Sequence, residues 1–181
     1  MKIYIALLRG INVGGHRKIK MVDLKEMLNK MGMKDVATYI QSGTVVFKSS
    51  ITITSELERK IKKSIAKTFS LDVPVLVKTH KELKSIFDKN PFAETSDIEH
   101  KRIYFALLKE TPQPELIAAF QKVKFLGELF VVAEDCVYLN YSNGAGKAKL
   151  SNNFIERKLK VSATARNFNT MVKLLEMSTA R

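Results

Sequence analysis

The chain has 181 residues, 45% apolar and 27% charged, with a single cysteine, a size and balance that suit one domain or two small ones with a real core. Thirty-one Lys and Arg stand against 18 Asp and Glu, for a formal net charge of +13. The charge excludes an acidic, calcium-buffering character and puts polyanions first among partners without naming a reaction, and the single cysteine excludes an intrachain disulfide and a cysteine-built zinc site.

The first element is Lys2 to Leu8, short, branched and aromatic, which reads as a buried strand ended by Arg9-Gly10. Its apolar run is too short for a signal peptide or a membrane span, so a cytoplasmic protein with no membrane partner is expected. After a glycine-rich loop, Leu24, Met27, Leu28 and Met31 mark one helix face, with Asp23 as the expected N-cap and Gly32 as the stop. Val36–Gln41 and Thr44–Lys48 read as a hairpin around Ser42-Gly43. Ser55 and Glu58 form an expected capping box for a helix carrying Leu57, Ile61, Ile65 and Phe69. Val73–Lys78 reads as a strand, and Thr79 with Glu82 caps a short helix that stops before Asn90-Pro91.

This order, β-α-β-β-α-β, is the split βαβ of ferredoxin-like folds. It then begins again. Residues 103–109 (IYFALLK) repeat residues 3–9 (IYIALLR) with five identities in seven, at an offset of 100. A helix with Pro112 near its start follows and turns Leu116, Ile117, Phe120 and Val123 inward. A hairpin over 128–133 and 136–141 turns at Glu134-Asp135, and Cys136 lies mid-strand as a core residue. A basic helix covers about 151–160, a short strand lies near Val161-Ser162, and a last helix puts Phe168, Met171, Val172 and Leu175 on one face. The expected fold is therefore α+β, with two ferredoxin-like subdomains and antiparallel sheets, the second a degenerate copy with an extra C-terminal helix. The expected domains are 1–90 and 91–181, joined through the polar, turn-rich segment 91–100.

Several motifs together resemble a bacterial family of uncharacterised proteins, the domain of unknown function 1697. They are residues 4–15 (YIALLRGINVGG), 38–43 (TYIQSG), 90–92 (NPF), 144–147 (GAGK) and 162–170 (SATARNFNT). The resemblance runs over residues 1–177. It implies two α+β subdomains of ferredoxin-like character and no established activity. Two departures are Thr44, where Asn is expected, and Phe168, where Trp is expected.

Three constellations suit an anion. In the loop after the first strand, Arg9, Asn12, Gly14, Gly15 and Arg17 combine backbone freedom with guanidinium groups, and the topology brings Gln41, Ser42 and Gly43 beside them. A plain glycine-rich turn is the alternative, and the pattern is not that of a dinucleotide site. The second is Gly144, Gly146, Lys147 and Lys149, expected to lead into a helix N-terminus near Lys101 and Arg102. It is not a Walker A loop, because Tyr141 takes the first glycine position and Ala148 the Ser/Thr position. The third is Thr164, Arg166 and Asn167, where Thr164 or Asn167 serves as an N-cap.

The histidines His16, His80 and His100 lack metal-ligand spacing, so neither a metal nor a cofactor is expected. The charge is also uneven: net +10 over 1–90, −3 over 91–146 and +6 over 147–181. The favoured expectation is binding of nucleic acid or another polyphosphate. The alternatives are an enzyme acting on a small phosphorylated or carboxylated metabolite between the subdomains, and an interaction module with no ligand site. The oligomeric state is not specified by these residues.

Overall fold

In the computed structural model the described residues are 1–15, 17–94 and 101–179. His16, His100 and most of the segment expected to join the domains lie outside them. The first sheet is built from β1 (Lys2–Leu8), β2 (Lys34–Tyr39), β3 (Thr44–Ser49) and β4 (Val75–Thr79), in the order β2-β3-β1-β4. The second is built from β5 (Ile103–Leu108), β6 (Glu128–Val132), β7 (Cys136–Tyr141) and β8 (Ala163–Asn167), in the order β6-β7-β5-β8. Every pairing in both is antiparallel. Helices α1 (Met21–Lys30) and α2 (Thr54–Phe69) connect the strands of the first sheet, and α4 (Pro114–Gln121) and α5 (Asn152–Leu159) those of the second. Helices α3 (His80–Asp88) and α6 (Phe168–Ser178) follow β4 and β8.

The two sheets therefore share one topology, and the duplication extends to the backbone. The N–H of Leu8 donates to Gly43 and that of Arg9 to Pro74; the N–H of Leu108 donates to Asp135 and that of Lys109 to Ser162. The donors of these corresponding bonds stand at the offset of 100 seen in the sequence.

The chain divides into two compact units, Met1–Lys84 together with the residues from Leu174 onward, and Ser85–Lys173. Set beside continuous halves at 1–90 and 91–181, the first unit also takes the end of α6, and the end of α3 goes with the second.

Strand alternation sorts the cores. In the first unit Tyr4, Ala6 and Leu8 of β1 meet Val45 and Phe47 of β3, and Leu24, Leu28, Leu57, Ile61 and Ile65 of α1 and α2 cover them. In the second, Ala106 and Leu108 pack with Val137 and Leu139 beneath Phe120, Ile155 and Leu159. The opposite face of the second sheet carries Phe105 and Tyr138, against which Phe87 and Phe168 pack, and the Tyr138 hydroxyl donates to Ile86 O at 2.9 Å. Cys136 is buried on β7. Of the strand aromatics, Tyr4, Phe47, Phe105, Tyr138 and Tyr141 are buried and serve packing, while Tyr39, Tyr104 and Phe130 are half-buried.

The helix ends differ from expectation in instructive ways. Helix α1 begins at Met21 after Lys20, without a side-chain cap, so Asp23 is not its N-cap; it lies in the first turn, where its charge complements the helix dipole. Helix α2 begins at Thr54, so Ser55 and Glu58 fall inside it, and Glu58 turns instead to the sheet. The Thr79–Glu82 box does form, with Thr79 N–H donating to Glu82 at 2.7 Å and Glu82 N–H to Thr79 Oγ1 at 3.2 Å. Helix α4 starts at Pro114, with Pro112 buried before it. In place of a short strand at 161–162, β8 runs to Asn167 because β5 offers it a full antiparallel partner. The buried face of α6 centres on Met171, Leu174 and Ser178.

Candidate functional site

The loop after β1 gets its shape from its backbone. Gly10, Asn12, Gly14, Gly15 and Arg17 all have φ between 49° and 77°, the left-handed region that glycine tolerates and other residues seldom enter. Asn12 pays for its own strain: its Nδ2 donates to Ile19 O at 2.9 Å and to Gln41 O at 2.7 Å, and its Oδ1 accepts from Ile19 N–H at 2.9 Å. Both of its amide donors are thus engaged within the protein. The topology expected from the sequence does bring Gln41, Ser42 and Gly43 to this loop. Gly43 is held so closely that an added Cβ would lie 2.5 Å from Ile11 Cδ1 and 2.8 Å from Leu8 Cβ. Arg9 is half-buried and Arg17 exposed, with Arg17 Nη1 3.4 Å from where a Gly10 Cβ would sit. Ser42 Oγ lies 3.4 Å from Thr44 Oγ1.

The second glycine loop lines a cleft of about 750 Å³ in the second unit. Lys124, Phe125, Asn143, Gly144 and Lys149 form much of its wall, with Glu128 and Tyr141 among them. Gly144 has φ 81° and open space at its Cβ position. The loop does not run directly into a helix: residues Ala145–Lys147 make one 3-10 turn, and α5 starts only at Asn152, capped by Ser151 Oγ. The Lys147 side chain lies outside the described groups. Arg102 does adjoin the end of β7, since its carbonyl accepts from Tyr141 N–H at 2.9 Å.

Glu128 organises this loop. It is buried, and its two carboxylate oxygens accept from Lys149 N–H and Leu150 N–H, each at 2.8 Å. An internal anion thus holds the backbone donors at 149 and 150. The Tyr141 hydroxyl donates to Leu150 O at 2.7 Å, and burial, then the nearby Glu128 carboxylate, pushes its phenol above the ordinary tyrosine range. The exposed ammonium-bearing side chains of Lys124 and Lys149 remain on the cleft.

The third group is part of β8 and not of a loop. Thr164 lies opposite Leu107 and Arg166 opposite Phe105, both buried on the sheet face away from α4 and α5. Arg166 Nη1 donates to Ala165 O at 2.9 Å, and burial pushes its guanidinium down to about 10. Thr164 is therefore not an N-cap; Asn167 is, its Oδ1 accepting from Thr170 N–H at 2.9 Å.

The family described as "Protein of unknown function (DUF1697)" matches residues 1–138. The chain belongs to this family. Its fold is also that of a solved structure, the conserved bacterial protein SP0830 from Streptococcus pneumoniae, with a TM-score of 0.73, 22% identity and 98% of each chain covered. No curated protein matches the chain. Among the described residues of this DUF1697 member, no group of three or more His, Cys, Asp or Glu is placed to hold a metal ion. Nor is any helix among them long and apolar enough to cross a membrane.

Sequence reasoning missed Lys124 and Glu128. Lys124 is brought to the cleft by the turn that bridges Phe125 to Glu128, and Glu128 reaches across to residues 149 and 150. The signal available for Glu128 was an acidic residue opening an otherwise apolar strand. It also missed the contact of His80 Nδ1 with Ser178 Oγ at 2.9 Å, between residues 98 positions apart.

Proposed function

We propose that the protein binds phosphate-bearing polyanions, single-stranded nucleic acid first among them. The observation that carries this reading is the cleft of the second unit, where Lys124 and Lys149 accompany Asn143 and the open backbone of Gly144. The net charge of +13 adds long-range attraction for any polyanion. The basic loop after β1, with Arg9, Arg17 and Lys18, is a second place for the phosphodiester backbone to rest. Recognition would be chiefly through phosphates, because Tyr4, Phe47, Phe105, Tyr138 and Tyr141 of the strands are buried.

Anisotropy titration of labelled single-stranded RNA over a salt series tests this. The expected result is affinity that falls with salt at a log–log slope of about 0.7 per phosphate contacted. Replacing Lys124 and Lys149 with alanine should lower that slope by about 1.4. No binding at low salt overturns the reading.

The cleft volume favours one second reading, a small phosphorylated or carboxylated metabolite, since about 300–1,000 Å³ is usual for such ligands. Thermal stabilisation by a phosphorylated metabolite, together with no affinity for RNA, would decide for it.

A further inference from the structure

Edge strands expose rows of backbone N–H and C=O groups, and folded proteins blunt them. The described residues form four sheet edges, and three are blunted. On β4, the outward N–H groups of Val77 and Thr79 donate to Glu58 and Glu82. On β8, Ala163 N–H donates to Glu156 at 2.7 Å, and Ala163 O accepts from Asn152 Nδ2 at 2.9 Å. On β2, a register shift between Lys34 and Ala37, Asp35 at φ 51° and the Asp35–Lys48 ion pair at 2.7 Å interrupt the edge.

The fourth edge, β6, has none of these devices. Residues 129–133 are Leu-Phe-Val-Val-Ala, without charge, proline or bulge. Leu129 is 57% exposed, Val131 41%, and the neighbouring Leu126 98%. The bonds from Ser142 N–H to Gly127 O and from Ala133 N–H to Cys136 O fix the alternation along the strand. Leu129 and Val131 therefore bond inward to β7, and the backbone groups of Phe130 and Val132 point away from the sheet. Those of Glu128 meet Phe125 in the local bridge.

We propose that β6 is a homodimer interface in which the β6 strands of two copies pair antiparallel about a two-fold axis at Val131. Phe130 then exchanges hydrogen bonds with Val132 of the second copy, and Val132 with its Phe130. Val131 meets Val131 on the aliphatic face. The pattern is self-complementary, as a two-fold interface requires. Charge selects this edge among the places where two copies could meet. Copies carrying +13 repel, so contact belongs where basic groups are fewest, and β6 lies in the segment 91–146 of net −3 with none between Leu129 and Ala133. Strands this short bury less than a standard interface, so the dimer is weak and depends on concentration.

Sedimentation equilibrium of the full chain over a concentration series, at moderate salt to screen the repulsion, tests this. The mass should rise from 20.5 kDa toward twice that value. Val131→Lys should weaken association at least tenfold, because two ammonium groups then meet at the axis. Val22→Lys, at an aliphatic site 74% exposed on α1, should leave it unchanged. Amide exchange at Phe130 and Val132 should slow as wild-type concentration rises, a readout that needs no variant. A monomer at every concentration overturns the proposal, even if it captures an added extended peptide. So does a dimer that tolerates Val131→Lys, or concentration-independent exchange at Phe130 and Val132.

Discussion

The carboxylate of Glu58 accepts a hydrogen bond from the backbone N–H of Val77 at 3.0 Å, joining the interior of α2 to the outer edge of β4. The second unit repeats the device, with Glu156 of α5 accepting from Ala163 at the start of β8. A helix that crosses the sheet brings its first turns over the last strand, so an acidic residue there reaches an N–H that no strand will pair.

Removing the Glu58 carboxylate leaves that N–H buried without its acceptor. Glu58→Ala should destabilise the protein by about 1–3 kcal/mol in urea unfolding. Glu58→Gln, which keeps an acceptor oxygen, should lose less. Equal losses for the two variants would mean that burial of the stem, and not the hydrogen bond, is what matters.

Glu128 holds two backbone donors at once, at 2.8 Å each. Glu128→Ala should cost about 2–3 kcal/mol and speed amide exchange at Lys149 and Leu150 more than at β5. With the internal carboxylate gone, the N–H of Lys149, a residue of the cleft wall, is left without its acceptor, so phosphate affinity should rise. The two effects are read separately, by exchange and by a phosphate titration.

Two glycines with positive φ should respond differently to alanine. Gly43 has φ 72° and meets Ile11 and Leu8 at its Cβ position, whereas Gly144 has φ 81° and meets nothing within 4 Å. Gly144 pairs φ 81° with ψ 147°, a region almost confined to glycine, so Gly144→Ala should cost about 1–3 kcal/mol through backbone strain alone. Gly43→Ala adds overpacking against the core, about 1–3 kcal/mol more. Midpoints of chemical unfolding will rank the two.

Alkaline pH should weaken the fold. Burial raises the phenols of Tyr138 and Tyr141 above 10 in the folded chain, so above pH 10 the unfolded chain loses those protons first and stability falls. Each contributes a slope of up to about 1.4 kcal/mol per pH unit. Arg166 acts in the opposite sense. Its folded value of about 10 lies below 12.5, so between those limits the unfolded chain holds the extra proton and that share of stability rises. Two tyrosines outweigh one arginine, and the net trend above pH 10 is downward. Tyr138→Phe should flatten it in unfolding curves taken from pH 9 to 11.

The repeat of IYIALLR as IYFALLK and the two runs of β-α-β-β-α-β were legible because burial of a strand or helix face is written locally, in periods of two and 3.6. So was the meeting of Asn12 with Gln41, since antiparallel topology alone puts the loop after β1 beside the β2–β3 turn. Helix starts were less legible. Ser55 and Glu58 match a capping box, yet the N-cap is Ile53, two residues earlier, and Glu58 serves a strand 19 positions away.

What the sequence determined by itself is the architecture, the basic balance and which glycine-rich loops exist, because hydrophobic period, charge and turn chemistry act over a few residues. Only the tertiary structure decided what each polar group does. Arg166 reads as the opening of a helix and is a buried strand residue opposite Phe105; Lys149 reads as part of an anion cradle, and its backbone is held by Glu128. Those assignments depend on which backbone groups remain unpaired after the sheets close, and that is fixed by pairings between residues far apart in the chain.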